Sequence, residues 1–276
     1  MRLTQHPGLD AGARWSPDGR WLVFHSDRTS GTGRDLDLFL ADPHRPDAVQ
    51  GLTDSPGFDY LPDVSPDGRR IAFLSRRPTP ESPQGTDGHL FVQDVEGGDG
   101  IRITRDPVSA SLGPRWTSDG GALLFARRMG SDGPTRLLRI PIPEAVAPGD
   151  DPAGGSEVEL VADTFFNYTP APSADGRWLA YTAEADAGTR VILIRSDGSE
   201  PRILVSSRGE GPRDYVREWT PDGRWILVDR WDRSSDRTEA WLLSVDRSAP
   251  DRPLLLADAP PVYGVSFRPG PAPRTS

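Results

Sequence analysis

The chain has 276 residues, 35 % of them hydrophobic and 26 % charged, with a formal net charge of −9. That balance suits a globular protein, no apolar run reaches the roughly 20 residues that cross a bilayer, and the acid excess argues against the basic face that sequence-independent polyanion binding needs. The lack of Cys excludes disulfides and thiolate metal sites. All 32 basic residues are Arg, and Asn167 is the only Asn. Such usage follows GC-rich coding, so arginine content alone carries no functional weight.

In chain order the first predicted element is a short strand at 2–4. It is followed by WSPDGR at 15–20, strands at 21–24 and 36–41, and a closing strand at 51–53. The series then returns. VSPDGR at 64–69 leads strands at 71–74, 89–94 and 102–104, and WTSDGG at 116–121 leads strands at 123–126, 136–140 and 159–161. PSADGR at 172–177 leads 178–181, 190–195 and 202–205, and WTPDGR at 219–224 leads 225–228, 240–245 and 254–256. A last inner-type strand is predicted at 262–267. The signature aspartates Asp18, Asp67, Asp119, Asp175 and Asp222 are separated by 49, 52, 56 and 47 residues, the period of a four-stranded propeller blade. In the Pro-Asp-Gly signatures Pro presets φ, and in all five Asp accepts from nearby backbone N–H groups and Gly adopts positive φ, the chemistry of a hairpin turn. Segments 76–88 and 141–156 interrupt the period as surface-loop insertions.

The pattern P-x-W-S-P-D-G-R-x-hydrophobic-x-hydrophobic, closing on L-T, resembles the TolB-like, WD40-like propeller repeat and covers nearly the whole chain. The resemblance implies an all-β β-propeller of four-stranded antiparallel blades forming a single domain over 1–276. Five full blades are expected, plus a partial sixth made from both termini by strands 2–4 and 262–267; a closed five-bladed ring is the alternative. Trp15, Trp116 and Trp219 share one repeat position, and Trp21, Trp178 and Trp225 another. An aromatic recurring at blade period reads as inter-blade packing.

Catalytic patterns are sparse. The stretch GVSFR at 264–268 lacks the second Gly of a nucleophile elbow, and His6, His25, His44 and His89 show no zinc-ligand spacing. Asp35 with Asp37, and Asp151 with its neighbours, lack the alternating ligands of a calcium loop. No cofactor and no metal is expected.

One polar column survives alignment of the repeats. Five residues before each signature stand Asp10, Asp59, Ser111, Asn167 and Asp214. They cap loops through the backbone, or form an electronegative rim where the chain enters the central channel. On the second reading the chain is a non-catalytic scaffold binding a protein segment or a small cationic ligand at the channel mouth. The other class of reading is a propeller hydrolase or lyase acting on a saccharide or peptide. The expected partner is a protein or peptide; nucleic acid and membrane insertion are not expected. The N-terminal residues show no secretory signal, which gives a cytoplasmic expectation, whereas the TolB resemblance suits a periplasmic or extracellular mature form.

Overall fold

A computed structural model describes residues 6–29, 35–108, 113–130, 133–143, 154–163, 165–168, 170–185, 187–209 and 211–254. Strands 2–4 and 262–267, and with them the partial sixth blade, lie outside the described residues. So do the closing strand's residues 255–256 and Ser111.

Five antiparallel sheets make a five-bladed β-propeller, with no helix among the described residues. Blade one is β1 (Asp10–Trp15), β2 (Leu22–Ser26), β3 (Asp37–Asp42) and β4 (Arg45–Gly51), in that order across the sheet. Blade two is β5 (Asp59–Val64), β6 (Arg70–Ser75), β7 (His89–Asp94) and β8 (Ile101–Arg102). Blade three is β9 (Arg115–Trp116), β10 (Ala122–Arg128), β11 (Thr135–Pro141) and β12 (Val158–Val161). In blade four the innermost strand is broken into β13 (Phe166–Asn167) and β14 (Ala171–Pro172), both paired with β15 (Trp178–Ala185). β16 (Gly188–Arg195) and β17 (Arg202–Ser206) complete that blade. Blade five is β18 (Arg213–Trp219), β19 (Trp225–Asp232), β20 (Arg237–Ser244) and β21 (Arg252–Pro253).

Every signature folds into one turn. In blade one the Gly19 N–H donates to Ser16 O at 2.8 Å, and Ser16 N–H donates to Trp21 O at 2.8 Å. The Ser16 hydroxyl donates to Asp18 Oδ1 (2.7 Å) while accepting from the Arg20 and Trp21 amides, and Asp18 Oδ1 accepts from Arg20 N–H. Ser65–Asp67, Thr117–Asp119, Ser173–Asp175 and Thr220–Asp222 repeat the hydroxyl–carboxylate bond. The glycines Gly19, Gly68, Gly120, Gly176 and Gly223 have φ between 67° and 72°, the left-handed region that a side chain enters at a steric cost.

The closing L-T element differs from the expected strands 51–53 and 102–104. β4 ends at Gly51, and β8 ends at Arg102. Beyond Gly51, Leu52 and Thr53 direct their N–H groups to Leu38 O, and the Thr53 hydroxyl accepts the Leu38 amide at 2.9 Å. In blade two Leu90 N–H goes to the Thr104 hydroxyl at 3.1 Å. The threonine therefore substitutes its side chain for a ladder carbonyl. Insertion 76–88 is hydrogen-bonded on itself: the Ser82 hydroxyl is within bonding distance of Thr86 Oγ1 and accepts the Thr86 and Asp87 amides, while Glu81 pairs with Arg102 at 2.9 Å.

The chain divides into two compact units, one within 1–123 and 140–157, the other within 124–139 and 158–267. In the first, Val23, Leu38 and Leu52 of blade one pack with Ile71, Phe73 and Phe91 of blade two, and the Trp116 indole N–H donates to Asp63 O on β5 at 3.2 Å. In the second, Val191, Leu193 and Leu204 of blade four pack with Val216, Trp219 and Val228 of blade five. There the Trp219 indole donates to Ala171 O at 2.9 Å. Two signature tryptophans thus reach the innermost strand of the preceding blade.

Two outcomes follow from the turn. Gly68→Val should cost about 1–2 kcal/mol through left-handed strain, and Pro66→Ala less than about 1 kcal/mol; denaturant melts giving equal losses or the reverse order would show the turn geometry to be wrong. The Ser173 hydroxyl, with the Arg177 amide, holds the Asp175 carboxyl down to about 2, and Ser or Thr hydroxyls lower Asp18, Asp67 and Asp222 likewise. A depressed folded-state value stabilises above the ordinary carboxylate range and is lost as pH falls through it. The melting temperature should therefore drop between about pH 4 and pH 2, and Asp175→Asn should drop less across the same window.

Candidate functional site at the leading ends of the innermost strands

In the first unit Asp10 and Asp59 open β1 and β5, directly opposite Ser26 and Ser75. Two residues on, the chain supplies Arg28 and Arg77. Arg28 Nη2 donates to Asp10 Oδ1 at 2.9 Å and its Nε donates to the Ser26 hydroxyl at 3.1 Å. Arg77 repeats this, Nη2 to Asp59 Oδ2 at 2.8 Å and Nε to Ser75 at 3.0 Å. Each guanidinium lies over two rings of its own blade: Arg28 over Phe24 and Phe39, Arg77 over Phe73 and Phe91, at 4.4–5.6 Å. Asp59 is 1 % exposed; burial pushes its carboxyl upward, and the Arg77 charge opposes that shift.

In the second unit Asp214 on β18 faces Arg230 on β19. The pair is bidentate, Nε to Oδ1 at 2.7 Å and Nη2 to Oδ2 at 2.9 Å, with the guanidinium 4.1 Å from the Trp241 ring centroid. Asn167 breaks the pattern in a consistent way. Ala183 and Ala185 stand where the first two repeats have Ser and Arg, so no guanidinium comes from there and the acid is replaced by an amide. Its Nδ2 donates to Thr135 O (2.9 Å) and Asp163 Oδ1 (2.7 Å).

The described aspartates of the column are thus members of ion pairs directed into the blades, where the rim expectation has bare carboxylates. Strand alternation sends their neighbours the other way. In the first unit these are Leu9, 50 % exposed, and Phe58 and Tyr60, with Tyr60 set edge-on to both Phe58 and His25 at 6.3 Å. His25 is buried, which pushes its imidazole down to about 4 despite the nearby Asp10, and its Nδ1 accepts the Leu61 amide at 3.4 Å. In the second unit they are Phe166, 40 % exposed, Tyr168, Arg213 and Tyr215. Tyr168 and Tyr215 meet edge-to-face at 5.2 Å. Both hydroxyls donate to Glu184, at 2.6 and 3.1 Å, and Arg213 pairs with the same carboxylate. Burial raises both phenols, with Glu184 adding to the effect, so neither tyrosine is prepared as a base. Among the described residues no three His, Asp or Glu converge to hold a metal.

The sequence matches no family model and no curated protein. Similarity appears among solved structures. TolB from Acinetobacter baumannii aligns with a TM-score of 0.68 at 20 % identity, over 88 % of this chain and 54 % of that one, so the chain spans about half the length of that TolB. A putative TolB from Agrobacterium tumefaciens gives 0.69 at 18 % identity, over 92 % and 83 %. An oligogalacturonate lyase in complex with manganese gives 0.57 at 17 % identity, over 87 % and 63 %. At these identities the likeness is one of fold, a β-propeller similar to those of the TolB structures.

The buried pairs have a measurable consequence. Asp214→Ala strands the Arg230 charge and should cost about 3–5 kcal/mol, whereas removing both charges with Asp214→Ala/Arg230→Met should recover most of that loss. A double-mutant cycle by chemical denaturation reads the coupling directly, and additive losses would show that the pair is not structural.

Proposed function

We propose that the chain is a non-catalytic propeller scaffold that binds a protein segment or small cationic group where the innermost strands begin. The observation that carries this reading is the division of labour at those ends. The polar column is committed to the frame, while each unit carries its own partly exposed lip of apolar and aromatic side chains, Leu9, Phe58 and Tyr60 in one and Phe166, Tyr168 and Tyr215 in the other. Such groups give contact area at low entropic cost and accept cations on their faces. In this reading Asp10, Asp59, Asn167 and Asp214 belong to the binding site as the residues that hold the lip in place, with Ser111 in the equivalent sequence position. The raised phenols and the paired carboxylates supply no matched acid and base, which favours binding over turnover.

A second reading, a hydrolase or lyase acting on a saccharide or peptide, draws on the fold likeness to the oligogalacturonate lyase and to prolyl endopeptidases. One experiment separates them. A partner captured from the source cell is purified and its affinity compared for wild type and Phe166→Ala, a change at an exposed position whose melt is checked against that of wild type. Loss of about tenfold, near 1.4 kcal/mol, is expected for a lip anchor. Unchanged affinity, or turnover of oligogalacturonate or of prolyl peptides by the purified chain, would overturn the scaffold reading.

A further inference from the structure

In the first unit a cavity of about 540 Å³ opens between blades one and two, within the roughly 300–1,000 Å³ range of small-ligand sites. Its hydrogen-bonding balance is uneven. The Thr29 hydroxyl on its wall gives its proton to Asp37 Oδ2 at 2.6 Å, so toward the cavity it can only accept. Arg77, also on the wall, has Nε and Nη2 committed to Ser75 and Asp59 and its face laid on Phe91. Gln93 gives its Nε2 to Leu52 O at 2.9 Å, which leaves Oε1 as its free function. Asp54 and Asp99 complete the wall as exposed carboxylates.

Behind the wall the same imbalance continues. Asp37 is 1 % exposed and is held by the Thr29 hydroxyl, with Thr53 Oγ1 at 3.5 Å from its other oxygen; no cation pairs with it among the described residues. Asp59 keeps an oxygen, Oδ1, that accepts no hydrogen bond. Arg28, the other nearby guanidinium, lies on Phe39 and is taken by Asp10. The wall therefore offers acceptors and the carboxylates of Asp54 and Asp99, while the charge of Arg77 is met by Asp59 and that of Arg28 by Asp10.

We infer that this cavity receives a guanidinium or ammonium group, the basic side chain of a peptide segment. A group with three to five N–H donors and one positive charge matches what the wall lacks. The inference rests on the scaffold reading only for the bearer of that cation; the preference of the cavity for cations is a property of its own residues.

The test uses the full chain and N-acetyl-arginine amide as probe, followed by the amide resonances of Thr53 and Gly100. Saturable shifts that weaken with salt are expected, and N-acetyl-glutamine amide should produce none. Asp54→Asn/Asp99→Asn, both exposed positions, should weaken the probe about tenfold with an unchanged melt, and Phe166→Ala should leave it as in wild type. Absence of saturation, equal binding of the neutral amide, or indifference to the double substitution would overturn the inference. Probe binding without any Phe166-dependent partner would retire the scaffold reading and leave the cavity standing; the reverse pattern would retire the cavity alone.

Discussion

The arrangement of blades depends on how each innermost strand is tied to the blade before it. A four-stranded blade has two apolar faces and cannot bury them alone, but apolar packing is non-directional and does not fix a register. Direction comes from polar groups that must be satisfied once buried. The indole N–H groups of Trp116 and Trp219 are such groups, and the carbonyls of Asp63 and Ala171 meet them. Where the signature lacks Trp, other bonds make the tie. Blade two begins with Asp59 N–H donating to Leu36 O at 2.7 Å, and blade four with Thr135 N–H donating to Phe165 O and the Asn167 amide returning to Thr135 O. Asp63 adds a charged version, accepting from the Trp116 amide and pairing with Arg14 and Arg115, so that one carboxylate touches three consecutive blades.

The ion pairs of the column extend the same logic. A buried carboxylate is costly unless paired and hydrogen-bonded. In blades one and two it meets a guanidinium that is itself held by a serine and stacked on two rings, and in blade five one that is bidentate and lies on Trp241. The planar fork serves the carboxylate along its edge and the rings with its face, which an ammonium could not do together. The fourth repeat shows that the parts are used as a set: with Ala185 in the arginine position, the acid becomes Asn167.

Much of this was legible in the sequence because it is local. The turn is written in five consecutive residues, and β7 (His89–Asp94) falls on its predicted span because apolar content and flanking polar residues delimit it. The column's direction was not legible. Whether Asp59 or Tyr60 faces out depends on which strand face packs against the neighbouring blade, and a one-residue change of phase inverts it. A signal was nonetheless present, since Arg28, Arg77 and Arg230 follow their aspartates by 18, 18 and 16 residues, and after Asn167 of the fourth repeat both spacings fall on alanine, Ala183 and Ala185. The ends of β4 and β8 were misread because the threonine of the L-T element works through its hydroxyl, which periodicity does not register. The cavity could not be foreseen, since its wall is assembled from separate loops.

The exclusive use of arginine gives the frame a one-sided chemistry. A guanidinium stays protonated beyond the range in which an ammonium discharges, so none of the interior pairs can be broken by removing a proton from its cation. The pairs of Asp10 with Arg28, Asp59 with Arg77 and Asp214 with Arg230 are all built on that one cation. A usage that follows coding has thereby given the frame cations that solution pH does not switch.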